Sequence, residues 1–327
     1  MLKEIFIGLS QNQVLNQAAR KYGLRLGAQS VVAGTNLAEA ILSMKELNAQ
    51  GISCTVDNLG EFVCKEEEAQ AAKDQILEVI QAIREHHLDA HISIKPTQLG
   101  LDIDYNLCLN NVREIVAKAT QYDLFVNIDM EDSKHLQPTF DLLDDLSIEF
   151  DNVGTVIQAY LYQALEYLEK YQDYRIRIVK GAYKEPEDIA FQNKEDIDDN
   201  YIKLIEWHLL HGKFTSIATH DHRVIDHVKQ FVKKHAIPND KFEFQMLYGF
   251  RKEMQYKLAE EGYHFCTYVP FGSDWYGYFM RRLAERPQNL NLVAKQVFNR
   301  KTNTVLGVAA GAFIVGRLIK SNWKKRK

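Results

Sequence analysis

Residues 175–181 read RIRIVKG, a run of strand length rich in β-branched side chains, with Arg175, Arg177 and Lys180 embedded in it. Seven other runs share its character: GISCTVD (51–57), HISIKP (91–96), LFVNIDM (124–130), GTVIQAY (154–160), FTSIATH (214–220), FEFQMLY (242–248) and HFCTYVP (264–270). Amphipathic stretches separate them, such as EEEAQAAKDQILEVIQAIREHH and NVREIVAKATQY. In AYLYQALEYLEKY the residues Leu161, Leu165 and Leu168 recur at the spacing of one helical face. Eight strands, each followed by a helix, predict an α/β fold of the (β/α)8 barrel type. The main alternative is a doubly wound open sheet. No GxGxxG follows an early strand, and eight repeats suit closure better.

The organisation that follows is an N-terminal helical segment over 1–50 (LNQAARKYG, LAEAILSMKELNAQ), a barrel over 51–300, and a tail over 301–327. Composition supports a sizeable core, with 46% hydrophobic and 26% charged residues in 327. A net charge of −4 gives no general attraction to nucleic acid. Four cysteines without CxxC spacing (Cys54, Cys64, Cys108, Cys266) and no secretory leader predict reduced thiols in the cytoplasm.

Catalytic groups of such barrels lie at the C-terminal ends of the strands. There the sequence offers Asp57 with Glu61, Lys95, Asp129 with Glu131, Gln158, Arg177 with Lys180, Thr219 with His220, Gln245, and Tyr268. Charges inside runs as apolar as HISIKP and RIRIVKG are costly unless paired or given a ligand. The last helix adds Arg281 and Arg282 among the aromatic residues Trp275, Tyr276, Tyr278 and Phe279. Together with Lys95, Arg177 and Lys180 they outnumber Asp57, Asp129 and Glu131, and a cationic mouth favours carboxylate or phosphate ligands. Tyr183, Tyr268, Tyr278 and Leu247 supply apolar walls. Three chemistries fit: a Schiff base on Lys180, a metal at His220 and His222 of THDH, or flavin chemistry with Arg177 facing the ring system. The metal reading is the weakest, because no HxH partner occurs on the first strand.

RIVKGAYKEP, IATHDHRVI, FEFQMLYGF and YVPFG…YFMRRLAER, supported by NIDME and ISIKP, occur in this order along the chain. In these motifs residues 50–290 resemble the FAD-dependent proline dehydrogenases. The resemblance implies a distorted (β/α)8 barrel whose last helix lies over the top. It implies that Lys95, Arg281 and Arg282 bind the carboxylate of L-proline, and that Tyr268, Tyr278 and Leu247 enclose its ring with Tyr183 close by. Asp129 would orient the cationic cluster, and Glu61 would pair with Arg281 as a gate. For FAD, it implies Arg177, Gln158 and Met130 near the ring system. Lys180, Gly181, Ala182, Thr219 and His220 would follow along the ribityl and phosphate path, with Glu285 near the adenosine end. FEFQMLYGF departs at Tyr248, where some members carry histidine.

Oxidising an amine to an imine requires an electron sink rather than a strong base, and flavin supplies one. The resemblance also implies a membrane quinone as electron acceptor. From Thr304 the tail TVLGVAAGAFIVGRLIKSNWKKRK runs apolar to Gly316 and then basic. It is too short to span a bilayer comfortably. Two readings follow, a C-terminal helix packed on the barrel or peripheral contact with the inner face of the cell membrane, and the need to reach a quinone favours the second.

Overall fold

A computed structural model describes residues 31–60 and 63–279. The chain divides into two units, Ser30–Trp275 and Met1–Gln29 with Tyr276–Lys327. The first unit holds the barrel. It opens with helix α1 (Leu37–Asn48), and then strands and helices alternate: β1 Ser53–Asn58, α2 Glu66–Glu85, β2 Ala90–Ile94, α3 Tyr105–Thr120, β3 Val126–Ile128, α4 Ser133–Ser147 and β4 Val153–Gln158. They continue as α5 Ala164–Lys170, β5 Arg175–Val179, α6 Lys194–His211, β6 Phe214–Ala218, α7 His222–Lys234, β7 Phe242–Leu247, α8 Lys252–Glu260 and β8 Phe265–Phe271.

All eight strands are parallel and form a closed barrel in sequence order. Closure is made by β1 on β8, in register from Ser53↔Cys266 to Asn58↔Phe271. That ladder excludes the open doubly wound sheet, which would leave two edges. The segment before α1 adds to the seam, with Ala33 N donating to the Pro270 carbonyl at 2.9 Å.

The helices form where the sequence caps them. Asn36, Asp104, Asp132, Asn193 and Asp221 each accept a backbone N–H in the first turn of α1, α3, α4, α6 and α7. Helix α2 lacks a side-chain cap but carries Glu66, Glu67 and Glu68 in its first turn and Arg84 in its last, complementing the helix dipole. Its buried stripe of Ala69, Ala72, Ile76, Val79, Ile80 and Ile83 faces the barrel. Each buried isoleucine contributes about 1.5–3 kcal/mol by burial.

The two faces of the strands differ in chemistry. On β2, Ile92 and Ile94 join the outer core while Ser93 reaches across the interior. On β5, Ile176 and Ile178 do the same, and Arg175 and Arg177 make interior contacts. The barrel interior is therefore a stack of paired polar groups, and the hydrophobic core is the shell between strands and helices.

Candidate active site

The centre of the interior network is Asp129, one residue past the short strand β3 and buried. Its Oδ1 accepts from Arg177 Nη1 at 2.8 Å, Asn127 Nδ2 at 2.9 Å and Ser93 Oγ at 3.0 Å. Its Oδ2 accepts from Lys95 Nζ at 3.0 Å and Tyr268 Oη at 3.3 Å. Burial alone would push this carboxyl up. The Lys95 ammonium and the Arg177 guanidinium outweigh it and hold Asp129 below the usual carboxylate range.

Lys95 follows β2, with Pro96 starting a single 3-10 turn behind it. Its ammonium donates to Asp57 Oδ2 at 2.8 Å, Asp129 Oδ2 at 3.0 Å and Tyr268 Oη at 3.1 Å. An ammonium has three protons, so all are placed. Burial would lower its pKa, but Asp57, Tyr268 and Asp129 hold it well above the ordinary lysine value. Tyr268 donates to Asp57 Oδ2 at 2.5 Å, and burial together with the Asp57 charge pushes its phenol well up. Arg177 is 5% exposed, and its Nη2 donates to Thr55 Oγ1 at 3.1 Å. Its Nε has no hydrogen-bond partner among the described residues. Its guanidinium carbon lies 5.4 Å from the centre of the Tyr268 ring.

The other sequence-predicted residues of the barrel lie at the C-terminal ends of β4 and β7 and on the loops after β3, β5 and β6. Met130 is buried. Gln158 spends both ends of its amide on backbone, donating to Glu131 O at 2.7 Å and accepting from Ala182 N at 3.2 Å. Gly181 has φ +122°, and a Cβ there would lie 2.6 Å from the Tyr160 ring, so only glycine fits. Gly181, Ala182 and Tyr183 are exposed. Lys180 pairs with Asp198 Oδ1 on α6 at 2.5 Å. Thr219 is buried and its hydroxyl accepts from Asp221 N at 3.0 Å. His220 Nε2 faces the Leu247 N–H at 3.4 Å, with its ring against Phe250. Leu247 ends β7, half-buried. Tyr278 belongs to the second unit. Glu61, Arg281, Arg282 and Glu285 lie outside the described residues, as does the tail.

Among the described residues three sequence expectations change. Among the described residues the mouth carries no cationic excess, because Lys95 and Arg177 are matched by Asp57 and Asp129 and Lys180 is matched by Asp198. The Schiff-base reading also weakens, since Lys180 is directed at α6, where Asp198 pairs with it. Nothing supports the metal reading of THDH either: His222 begins α7 with its side chain 59% exposed, beside Asp221.

At the other end of the barrel His91, Glu243 and Cys266 bring metal-type donor atoms within 4.8 Å of one another. Glu243 Oε1 is already bonded by Arg175 Nη2 at 2.6 Å, Ser216 Oγ at 2.7 Å and Gln245 Nε2 at 2.6 Å. The Arg175 guanidinium, stacked on Phe125 and Phe214, supplies the positive charge that a metal would bring. This cluster closes the barrel floor as a buried ion pair.

Sequence reasoning placed Asp57 at the barrel mouth without giving it a role, and it missed Thr55, Ser93 and Asn127. Period-two alternation was the signal. In HISIKP it places Ser93 on the Lys95 face, and in FVNIDM it places Asn127 on the Asp129 face.

A closed parallel barrel with a buried, charge-matched cluster at its strand ends defines a (β/α)8-barrel enzyme. The family model for proline dehydrogenase matches residues 40–295, and the chain belongs to this family of oxidoreductases. Proline dehydrogenase 1 of Bacillus subtilis strain 168 is 46% identical over 302 residues, 92% of this chain and all of its own. Proline dehydrogenase of Deinococcus radiodurans is 40% identical over 90% of this chain and 97% of its own. In fold, the chain is similar to proline utilization A from Bdellovibrio bacteriovorus inactivated by N-propargylglycine, with a TM-score of 0.74 at 24% identity. That likeness covers 84% of this chain and 34% of the longer protein.

Proposed function

We propose that this chain oxidises L-proline to Δ1-pyrroline-5-carboxylate with FAD as its cofactor, and passes the electrons to a membrane quinone. The observation that carries the reading is the Lys95–Asp129–Arg177 network at the ends of β2, β3 and β5, in a chain of this family. The residues present fit FAD. Arg177 keeps a buried Nε without a partner among the described residues, suited to a hydrogen-bond acceptor of a flat polar ring. On the loop after β5 the exposed Gly181 and Ala182 admit close approach, and Lys180 and His220 would flank the route that a diphosphate takes.

When bound, the flavin supplies the electron sink for the C–H bond beside the amine. The protein's own task is positioning. Asp57 and Asp129 fix the Lys95 ammonium and the Tyr268 hydroxyl, so that the charged edge and the ring wall of the proline site are set together. Lys95 meets a substrate carboxylate only by giving up one of its three present partners, and the Tyr268 hydroxyl is the longest of these bonds. Arg281 and Arg282, by resemblance, supply the remaining charge. The resemblance assigns Leu247, Tyr268 and Tyr278 to enclosing the pyrrolidine, with Tyr183 close by, and Glu61 to gating entry. The same resemblance assigns Glu285 to the adenosine end. The enzyme acts in the cytoplasm, held at the inner face of the membrane by its tail.

The test is a visible spectrum of the purified protein, followed by anaerobic addition of L-proline. Bound flavin that bleaches with L-proline and not with D-proline is expected. A protein that neither carries flavin nor takes it up would end this reading.

A further inference from the structure

The stretch between β5 and α6 is mostly solvent-facing: of residues 181–189 only Glu185 is buried, at 7% exposure. Burying one carboxylate in an otherwise exposed loop is costly unless it is fully bonded. Glu185 is. Its Oε1 accepts from Ser133 N at 2.7 Å and its Oε2 from Ser133 Oγ at 2.5 Å. Ser133 is the first residue of α4, so the carboxylate also faces the positive end of the helix dipole.

Helix α4 starts four residues after Asp129. The Glu185 contact therefore joins the loop after β5 to the loop after β3. Gln158 makes a second tie between the same two loops, through Glu131 O and Ala182 N. Past Glu185 the loop is held again, with Phe191 N on Tyr160 O at 2.8 Å and Tyr162 Oη on Glu187 O at 2.8 Å. Residues 181–184, exposed and without buried side chains of their own, are thus pinned at both ends. The backbone they pin is the one assigned above to the cofactor.

We propose that Glu185 is a positioning residue for the cofactor: it clasps the loop after β5 to the N-terminus of α4 and fixes residues 181–184 in the shape that retains FAD. It touches neither substrate nor cofactor. The proposal rests on the flavin reading, but it concerns retention rather than chemistry.

The experiment measures FAD dissociation from the full-length holoenzyme by recovery of flavin fluorescence, alongside amide hydrogen exchange over residues 181–184. Three variants are compared. Glu185→Ala removes both bonds. Glu185→Gln keeps an acceptor for Ser133 N and can donate to Ser133 Oγ. Asp132→Ala removes the other cap of the same helix and leaves the loop untouched, which controls for loss of helix stability. Expected are FAD release faster by about tenfold or more in Glu185→Ala, the scale of one hydrogen bond to a charged group, recovery toward wild type in Glu185→Gln, and little change in Asp132→Ala. Exchange over 181–184 rises in Glu185→Ala alone, while the KM for L-proline of FAD-saturated enzyme stays near wild type. Equal release from Glu185→Ala and Asp132→Ala, or unchanged exchange over 181–184, would overturn the proposal. A wild-type protein that binds no FAD would overturn the flavin reading and the retention role with it, whereas a failure confined to the variant condemns the clasp alone.

Discussion

Lys95 reaches from the end of β2 to Asp57 on β1 at 2.8 Å, and the same carboxylate oxygen accepts from Tyr268 on β8 at 2.5 Å. One oxygen thus fixes a cation and a phenol from the two strands flanking β1. The Asp57 side chain is almost wholly buried, so the pairing is little screened by solvent.

Asp57→Asn keeps the shape and removes the charge. We expect kcat/KM for L-proline to fall about 10- to 100-fold, the scale of one or two charged hydrogen bonds, with FAD content unchanged. The alkaline limb of the rate profile should also move to lower pH. Lys95 and Tyr268 are both held up in part by this carboxylate, so both titrate earlier without it. Steady-state kinetics from pH 6 upward, within the stable range, check both points. An unmoved alkaline limb would remove Asp57 from the site.

Arg177 is the next member of the network. Arg177→Met leaves the buried Asp129 carboxylate with one cation instead of two. Breaking such a pair costs about 3–5 kcal/mol, so a clear fall in Tm is expected in the apoprotein. In the holoprotein the flavin midpoint potential should fall too, because a fixed positive charge near the ring favours the reduced form. Spectroelectrochemistry reads this second effect independently of stability. A lower Tm with an unchanged potential would make Arg177 a scaffold residue only.

The strands were legible because parallel barrel strands, buried on their outer face, read as β-branched runs. Their ends were not. GTVIQAY, RIRIVKG and FTSIATH suggest strands to 160, 181 and 220, yet the ladders stop at Gln158, Val179 and Ala218. Past those points the chain turns to place polar groups, and at Gly181 it adopts a positive φ that no strand allows. The cations were legible, but their partners were harder to read. Asp198, which neutralises Lys180, lies 18 residues on, within a helix whose acidic side chains look solvated in the sequence. Ser133 and Glu185 are 52 residues apart with no pattern linking them.

His135 on α4 gives a pH test outside the site. Its Nδ1 meets Asp132 Oδ1 at 2.5 Å and its Nε2 meets Asp102 Oδ1 at 3.1 Å. Burial would lower its pKa, but the bonds to Asp102 and Asp132 outweigh burial and raise it above 6.5. A raised histidine binds its proton more tightly folded than unfolded. Its contribution is therefore complete below about pH 6.5 and is lost as pH rises through the higher folded value. His135→Gln should lower Tm more at pH 5.5 than at pH 9. Both carboxylates are over 40% exposed, so screening keeps the difference small. Equal losses at the two pH values would mean that the ring packs there without carrying charge.

The tail gives the last test. Thr304 to Gly316 is 13 residues without charge, and continuing through Ile319 a helix would be 16 residues, about 24 Å long, short of the roughly 20 residues that span a bilayer. Lys320, Lys324, Lys325, Arg326 and Lys327 follow, a basic cluster suited to an anionic leaflet. An apolar stretch next to such a cluster gives the two signals that reversible membrane attachment needs. An enzyme whose electrons leave through a lipid-soluble quinone gains turnover when held at the lipid surface. Truncation after Arg300 should therefore leave anaerobic reduction of the flavin by L-proline at its wild-type rate. Binding to liposomes containing anionic lipid should fall, and so should turnover with a long-chain quinone in those liposomes, while turnover with a water-soluble quinone persists. A truncated enzyme that still binds liposomes as well as the full chain, or one that no longer folds, would make the tail part of the protein body instead.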